Sequence, residues 1–413
     1  MFSLQVRKPY YQWIASLYFF QSMPFVVVSL IATMMYQQQG VNNTQSALIT
    51  SLLALPWAIK PLFAPFLERF LTKKRLTILS QTMIALLFFA LACSVNREHF
   101  LIISVLGLTC LAFTSSIHDI VSDGLYMINL DESNQKRYVA LRSFFYQMGR
   151  LVIKGGLLVA VGYYAFYWHV NAWKIFFYSL SLISLVLAIY HLIKIPEVER
   201  GSPRVKKEYF SILHSLLTER SIYSVLFFIF IYPFSEAQMQ KIVPLFLLDS
   251  VGLDLSLPRV GELYGILGGL ALMLGIFTTG FLMTRYKIEH CLSKLTLLLL
   301  FSHLLFLIVA YWEIHSLLVW GVIALSQFVF GLVNGAYMGY LLSVANQSRY
   351  PMSMYTLCTA IMALSYVLFG SLSGLLEQQF GYCGFFFYIF VANCGLVIIT
   401  FKTLRDHAGF KAI

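Results

Sequence analysis

The chain has 413 residues, of which 59% are hydrophobic and 11% are charged. Soluble domains carry about 25% charged residues, so this composition excludes a soluble protein and predicts one that crosses a membrane many times. The net charge of +11 would suit a nucleic-acid partner, but the basic residues lie in short loops between apolar stretches, so a lipid bilayer is expected instead and no nucleic acid.

Apolar stretches of roughly 20 residues, the length that crosses a bilayer as a helix, follow one another along the chain. Twelve are predicted, at residues 11–36, 45–66, 76–94, 100–125, 139–166, 172–194, 222–247, 260–285, 291–312, 316–344, 352–376 and 382–401. One long connector divides them into an N-terminal six-helix half (1–195), a linker (196–220) and a C-terminal six-helix half (221–413). The predicted fold class is therefore an all-α polytopic membrane protein.

The Lys and Arg residues between the spans fall mainly on one side of the membrane. With the N-terminus inside, most of the 29 basic residues are on the inner side, whereas the outer loops contain only Arg97 and Arg259. Because basic loops stay in the cytoplasm, both termini and the linker are predicted to be cytoplasmic. The expected location is a bacterial inner membrane.

Six charged side chains lie well inside the predicted spans. They are, in chain order, Lys60, Asp119, Asp123, Arg150, Lys154 and Glu236. A charge at the centre of a lipid-facing helix costs about 2.5–3.5 kcal/mol, so together they would cost as much as the whole stability of a protein. They must therefore face a wet cavity or one another. The third, sixth, ninth and twelfth spans have no charge in their interiors, which predicts that these helices face the lipid.

The fourth span carries Asp119 and Asp123 one helical turn apart, on one face. At 1.5 Å per residue, Asp123 lies about one turn from the inner end, at the depth of Arg142 in the fifth span. We therefore predict an ion pair between them, with a gating or a purely structural role. Asp119 lies deeper, and three alternatives stay open for it: a structural role, a contact with Arg150, or proton coupling.

The fifth span carries two cations, Arg150 and Lys154, one helical turn apart. Gly149, Gly155 and Gly156 allow a neighbouring helix to approach this span closely. A single deep acid in the fourth span can neutralise only one of the two cations. An unmatched positive charge that faces a cavity favours an anionic solute, and pairing within the protein is the alternative.

Glu236 lies three residues after Pro233, in a span that the proline is expected to break. Pro24 occupies the related place in the first span. A buried acid that can take up a proton is what proton coupling needs, and a structural role is the alternative. Lys60 is predicted to line the cavity or to extend its ammonium group toward the interface, and Tyr146 to line the route of a bulky solute.

The segment LPWAIKPLFAPFLERFLTKKRL, residues 55–76, resembles the loop motif of the major facilitator superfamily between its second and third helices. Glu68 and Arg69 stand where that family usually has Asp-Arg. The resemblance implies twelve helices in two pseudo-symmetric halves of six around a central polar cavity, with a site near the midplane. It also implies that Glu68 and Arg69 form a gate latch, which breaks when the halves rock.

Further segments, among them SSIHDIVSDG, YQMGRLVIKGG and YPFSEAQMQKIVPLFLLDSVGLD, are similar to one branch of that superfamily. The branch contains muropeptide permeases, acetyl-CoA transporters and single-protein siderophore permeases. In the fifth span it often has Arg where this chain has Gln147, and in the tenth an acid where this chain has Gln327. Gln147 therefore remains a candidate for solute binding. Gln327, an amide in place of the family's acid, is not expected to carry a proton. The chain length and the PWAIK segment look more like the siderophore permeases.

Together these features predict a secondary active transporter that imports a moderately large anionic solute, coupled to protons. A siderophore is the leading candidate, a muropeptide the second, and acetyl-CoA or another anionic metabolite the third. The candidate residues are Arg150, Lys154, Gln147, Tyr146 and Lys60 for solute binding, Asp119 and Glu236 for proton coupling, and Glu68, Arg69, Asp123 and Arg142 for gating.

An intramembrane enzyme is the alternative from another class. Two acids on one helix do not give the two-helix arrangement of membrane aspartyl proteases, and the sequence contains neither an HExxH zinc motif nor a phosphate-binding loop. We therefore expect no catalytic residues, no metal and no cofactor. The chain is expected to act as a monomer.

Overall fold

The computed structural model describes residues 10–67, 72–130, 132–196, 222–312, 317–348 and 350–407. These ranges are almost entirely helical and contain no strand. The predicted latch residues Glu68 and Arg69, and nearly all of the 196–220 linker, lie outside the described residues, so their roles stay predictions.

Twelve helical spans, α1 to α12, make up the described chain, and several are built from two or three segments. They are α1 (Tyr10–Val26, Val27–Ile31, Ala32–Gln38), α2 (Asn43–Leu52, Leu55–Leu67), α3 (Lys73–Ser94), α4 (Phe100–Asn129), α5 (Glu132–Leu151, Val152–Leu157, Leu158–Trp168), α6 (Ala172–Lys194), α7 (Ile222–Ile231, Phe234–Leu248), α8 (Leu257–Val260, Gly261–Leu267, Gly268–Arg285), α9 (Ile288–Trp312), α10 (Leu317–Asn346), and α11 with α12 in Pro351–His407.

The last two spans are joined without a loop. Pro351–His407 has 57 residues, which would make a straight helix of about 85 Å, far longer than a bilayer is thick. At Gly381 the backbone takes φ 64° and ψ 173°, a conformation that L side chains rarely adopt. The chain turns there, so residues 351–380 form α11 and residues 382–407 form α12. The prediction of twelve spans is confirmed.

Besides α2, four spans are interrupted, each by a π-helical turn or at a proline. A π-helical turn, Val27–Ile31, begins three residues after Pro24 in α1, and α7 is broken at Pro233. Proline lacks an N–H and clashes with the preceding turn, which explains why these two helices are irregular. Further π-helical turns occur in α5 at Val152–Leu157 and in α8 at Gly261–Leu267. Such turns are frequent at functional sites, and they flank the polar groups described below.

The π-helical turns of α5 and α8 cross at backbone distance. A Cβ on Gly265 would fall against the Lys154 carbonyl oxygen, and a Cβ on Gly155 would lie 2.8 Å from Ile266 Cγ1. Further along, a Cβ on Gly162 would lie 2.8 Å from Pro258 Cγ. Small residues allow this close packing of membrane helices, as predicted for Gly155. The crossing joins the two halves of the protein.

We expect Gly265→Val to force α5 and α8 apart. Overpacking a tight contact costs about 1–3 kcal/mol, so the Tm of the purified protein should fall. Gly280→Val on the same helix is the matched control, because nothing lies within 4 Å of a Cβ there. Equal Tm values for the two variants would show that the crossing does not stabilise this conformation.

The halves also meet at the membrane face opposite the described chain ends, here called the distal face. Asn43 Nδ2, at the start of α2, donates to Asp249 Oδ2 and to Glu377 Oε2, both at 3.1 Å. Tyr382 Oη donates to the same Asp249 oxygen at 2.7 Å, and Gln37 Nε2 donates to the Leu245 carbonyl at 3.1 Å. These contacts hold α1 and α2 against α7, α11 and α12, so the distal face is closed.

Asp249 is the charged centre of the distal contact. Burial alone would raise its pKa, but hydrogen bonds from Tyr382, the Val251 backbone, Asn43 and Gln37 outweigh it and hold the pKa below the usual value. A carboxyl group with a lowered pKa stabilises the contact at neutral pH and loses this effect as the pH falls through that pKa. The distal contact is therefore intact under ordinary conditions.

Candidate transport site between the two halves

Two cations of α5 lie at the interface between the halves. Lys154 is in the π-helical turn and is only 5% exposed, and its ammonium lies 5.1 Å from the ring centre of Tyr264 in α8. Arg150 is half-buried, and its buried Nε has no hydrogen-bond partner. Among the described residues, no carboxylate forms an ion pair with either cation. The site thus contains positive charge that no carboxylate of the described ranges neutralises.

Two tyrosines connect these cations to the opposite half. Tyr264 of α8 and Tyr366 of α11 each lie close enough to Arg150 and to Glu236 to interact electrostatically with both. Gln327 of α10 contacts Tyr264. A cationic and an acidic side chain from different halves therefore flank the same pair of aromatic rings, which is the arrangement expected for a site at the midplane.

Asp119 is buried, at 8% exposure, but it does not pair with Arg150. Trp57 Nε1 donates to Asp119 Oδ2 at 3.1 Å, and the other carboxylate oxygen is buried without a partner. Lys60 is the cation that interacts electrostatically with this acid. The alternative in which Asp119 contacts Arg150 is therefore wrong for this conformation. Lys60 lies on the Asp119 side of the site and is half-buried.

The predicted ion pair of α4 and α5 is present. Arg142 Nη2 lies 2.9 Å from Asp123 Oδ1, and Tyr18 Oη donates to the same oxygen at 2.8 Å. The guanidinium group also stacks over the Tyr18 ring at 4.4 Å. Tyr355 of α11 is close enough to interact with Arg142, so the pair faces the other half. Its gating role stays a prediction.

The remaining solute-binding candidates on α5 lie one turn before Arg150. Tyr146 interacts electrostatically with both acids of α4 as well as with Arg150 and Arg142. It therefore lies between the ion pair and the buried cations. Gln147 is half-buried, and its part in solute binding stays a prediction.

Glu236 lies in the first turn of the α7 segment that follows Pro233 and is 7% exposed. Its Oε2 is 3.5 Å from His303 Nε2 of α9, and His303 Nδ1 contacts Asn393 Nδ2 of α12. A cleft beside the pair has room for about one water molecule. Its lining residues are Glu236, Met239, Val243, Tyr264, Ser302, His303, Phe306, Ser326 and Gln327.

The helices predicted to face lipid have two different sides. One side exposes large apolar residues, for example Leu86, Leu182, Phe301 and Ile398. The other side buries polar residues, namely Gln81 of α3, His191 of α6, His303 of α9 and Asn393 of α12. The first three contact inner helices, and Asn393 contacts His303. The absence of charge in these spans indicated their lipid side correctly but did not reveal their polar inner side.

Lys241 of α7 makes the most central contact between the halves. It is buried at 7% exposure. Its ammonium donates to the Ser29 carbonyl at 2.8 Å and to Thr50 Oγ1 at 2.9 Å. Ser29 lies in the π-helical turn of α1. The irregular turn and the lysine thus stabilise one another across the interface.

We expect Lys241→Met to weaken closure of the distal face. A hydrogen bond to a charged group contributes about 1.5–3 kcal/mol, and the variant loses two. A Val41→Cys reporter, half-buried beside the distal contact, should then react faster with a membrane-impermeant maleimide. Thr50→Val removes only one of the two bonds and should give a smaller increase. Unchanged labelling in both variants would exclude Lys241 from the distal closure.

Comparison with known proteins places this geometry in a family. The Major Facilitator Superfamily model matches residues 14–365. The putative transporter AmpG 1 of Rickettsia bellii is 22% identical over 370 residues, covering 86% of this chain and 88% of the relative. The putative transporter AmpG 2 of the same organism is 24% identical over 296 residues, covering 69% and 68%.

A solved structure supports the same assignment at the level of the fold. The structure of a proton-dependent oligopeptide transporter superposes with a TM-score of 0.73 at 15% identity, covering 97% of this chain and 99% of that one. Identity this low shows the fold alone. With the family model matched along most of its length and twelve spans in two halves, the chain belongs to the major facilitator superfamily and is a multi-pass membrane transporter.

Proposed function

We propose that this transporter imports an anionic solute and couples the import to protons. The observation that carries the proposal is the pair of cations, buried Lys154 and half-buried Arg150, without a carboxylate partner among the described residues. A buried unpaired charge costs several kcal/mol, and an anion that enters the site would offset this cost. Arg suits a carboxylate or phosphate through its planar fork, whereas Lys acts as a point charge.

A muropeptide is the solute class that we now favour. Curated relatives that match 86% of the chain have the name AmpG, which belongs to the muropeptide-permease branch. Muropeptides carry carboxylates on a sugar–peptide body, which suits two cations flanked by tyrosine rings. The relatives' names give no support to the siderophore prediction, nor to acetyl-CoA, and both stay predictions.

The proton-coupling proposal rests on two acids in different halves. Glu236 lies beside His303 and a cleft with room for water, and Asp119 has one buried oxygen without a partner. Both surroundings suit a carboxyl group that gains and loses a proton. Tyr146 and Gln147 are proposed to bind the solute beside Arg150, and Lys60 to stabilise Asp119 when it is ionised. We further propose a bacterial inner-membrane location, cytoplasmic termini and a monomer.

Uptake into proteoliposomes that contain the full chain tests the proposal. With the outside more acidic than the lumen, we expect saturable accumulation of a radiolabelled anhydromuropeptide. Ferric siderophores and acetyl-CoA are not expected to accumulate. Accumulation of a ferric siderophore alone would show that the solute class is wrong and that anion transport is right. If no anion accumulates in liposomes that contain correctly folded protein, the proposal fails.

A further inference from the structure

His303 is a buried imidazole in the middle of an otherwise apolar helix. It is 2% exposed, and it lies between a carboxyl group of α7 and an amide of α12. A polar group at this depth is costly unless it is hydrogen-bonded, and polar residues inside membrane spans are usually functional. The contacts of its two ring nitrogens therefore indicate what it does.

The two contacts indicate which ring nitrogen of His303 carries the proton. In this orientation of its amide, Asn393 presents Nδ2 to His303 Nδ1 and leaves its own Oδ1 without a hydrogen-bond partner. Because an amide N–H only donates, Nδ1 accepts in this arrangement. In the neutral imidazole the proton is then on Nε2, the nitrogen that faces Glu236 Oε2 at 3.5 Å. At 3.5 Å the contact is longer than a normal hydrogen bond, and a small movement of α9 against α7 would bring this N–H within hydrogen-bond distance of the carboxylate.

A donor on Oε2 affects the two states of Glu236 differently. An N–H donates a stronger hydrogen bond to a carboxylate than to a neutral carboxylic acid. The contact therefore favours the ionised state, in which the proton has left. Once Oε2 accepts the His303 N–H, the proton is bound and released at Oε1, and the adjacent cleft has room for a water molecule to take it.

The other groups that face Glu236 do not replace this donor. Tyr264 of α8 and Tyr366 of α11 interact with it electrostatically, and Gln327 of α10 lines the same cleft. Arg150 of α5 interacts with the same two tyrosines, which separate it from Glu236. Lys241, on α7 itself, donates to α1 and α2 instead. Among the described residues, only His303 places a basic nitrogen within 4 Å of a Glu236 carboxylate oxygen.

We propose that His303, oriented by Asn393, is a positioning residue that donates its Nε2–H to Glu236 and so promotes proton release during the transport cycle. The inference rests on the proposed function, because it gives a task to the proton on Glu236. In the step itself, the O–H bond at Glu236 Oε1 breaks and a cleft water accepts the proton. His303 keeps its own proton throughout, so no further reactant is required.

Nitrogen-15 NMR of histidine-labelled full-length protein in nanodiscs tests the geometry without any solute. The His303 signal is identified by its loss in His303→Gln. We expect the Nε2–H tautomer near neutral pH, and a change of its shift with pH that disappears in Glu236→Gln. Asn393→Asp should move the proton to Nδ1, because a carboxylate only accepts. An Nδ1–H tautomer in the wild type, or the same pH response in Glu236→Gln, would overturn the proposal.

The pH profile of uptake gives the functional readout, with the anhydromuropeptide as probe. Loss of a charge-assisted hydrogen bond of about 1.5–3 kcal/mol corresponds to one to two pH units. We therefore expect the midpoint of the profile to rise by about one pH unit in His303→Leu and by less in His303→Gln, which keeps an N–H donor. If His303→Leu does not fold, Asn393→Leu takes its place and should shift the profile in the same direction.

An unchanged midpoint in the folded variants would overturn the proposal. Because the NMR experiment uses no solute, its outcome is separate from that of the proposed function. A correct tautomer together with no anion transport would contradict the transport proposal alone.

Discussion

Glu236→Gln is expected to abolish accumulation of solute against its gradient while leaving solute exchange across the membrane. Glutamine keeps the shape of the side chain and can accept from His303, but it cannot release a proton at the pH of the experiment. A gradient of one pH unit is worth about 1.4 kcal/mol per proton, or tenfold accumulation. The variant should lose this whole factor, because the protein can no longer use the gradient.

The measurement compares gradient-driven uptake with counterflow in the same proteoliposomes. Glu98→Gln, the same change at an exposed position, is the matched control and should behave like the wild type. Asp119→Asn tests the second acid in the same way. Full acid-stimulated accumulation in Glu236→Gln would exclude Glu236 as the coupling residue. If only Asp119→Asn loses gradient-driven accumulation, Asp119 is the coupling residue instead.

Arg150→Ala and Lys154→Ala are each expected to raise the apparent KM by roughly tenfold to a hundredfold. Each removes a cation that the anionic solute would otherwise contact, and a charged hydrogen bond contributes about 1.5–3 kcal/mol. Maximal velocity should change less, since the helix crossing beside these residues is kept. Arg150→Lys should recover only part of the affinity, because a point charge does not replace a bidentate fork.

Lys174→Ala removes a cation at an exposed position and serves as the control for net charge. Initial rates over a range of solute concentrations separate KM from maximal velocity. If both α5 variants keep the wild-type KM, the cations do not bind the solute, and their burial must have another explanation.

Features that depend on the length of apolar stretches could be predicted from the sequence. The twelve spans follow from runs of about 20 residues, and even the merged helix of α11 and α12 contains two such runs. Counting depth along a helix also predicted the ion pair of Asp123 and Arg142, because the rise per residue is constant. Both predictions use distances along one or two neighbouring helices only.

Contacts between distant helices could not be obtained in this way. A contact between Asp119 and Arg150 was one of the alternatives, but in the structure Asp119 accepts from Trp57 and interacts with Lys60 instead. Lys241 crosses to the other half, and no sequence spacing relates α7 to α1 and α2. His303 is not among the candidate site residues, because charge was used as the signal for the polar interior and the ninth span was predicted to face the lipid.

The turn at Gly381 affects how the transporter switches. Since one residue joins α11 to α12, the two helices have no slack at this end and must move as one rigid unit. Glu377 and Tyr382 lie on either side of the turn, and both contact Asn43. These contacts therefore break together rather than one after another. Opening of this side should be all-or-none, with a single activation barrier and no long-lived half-open state.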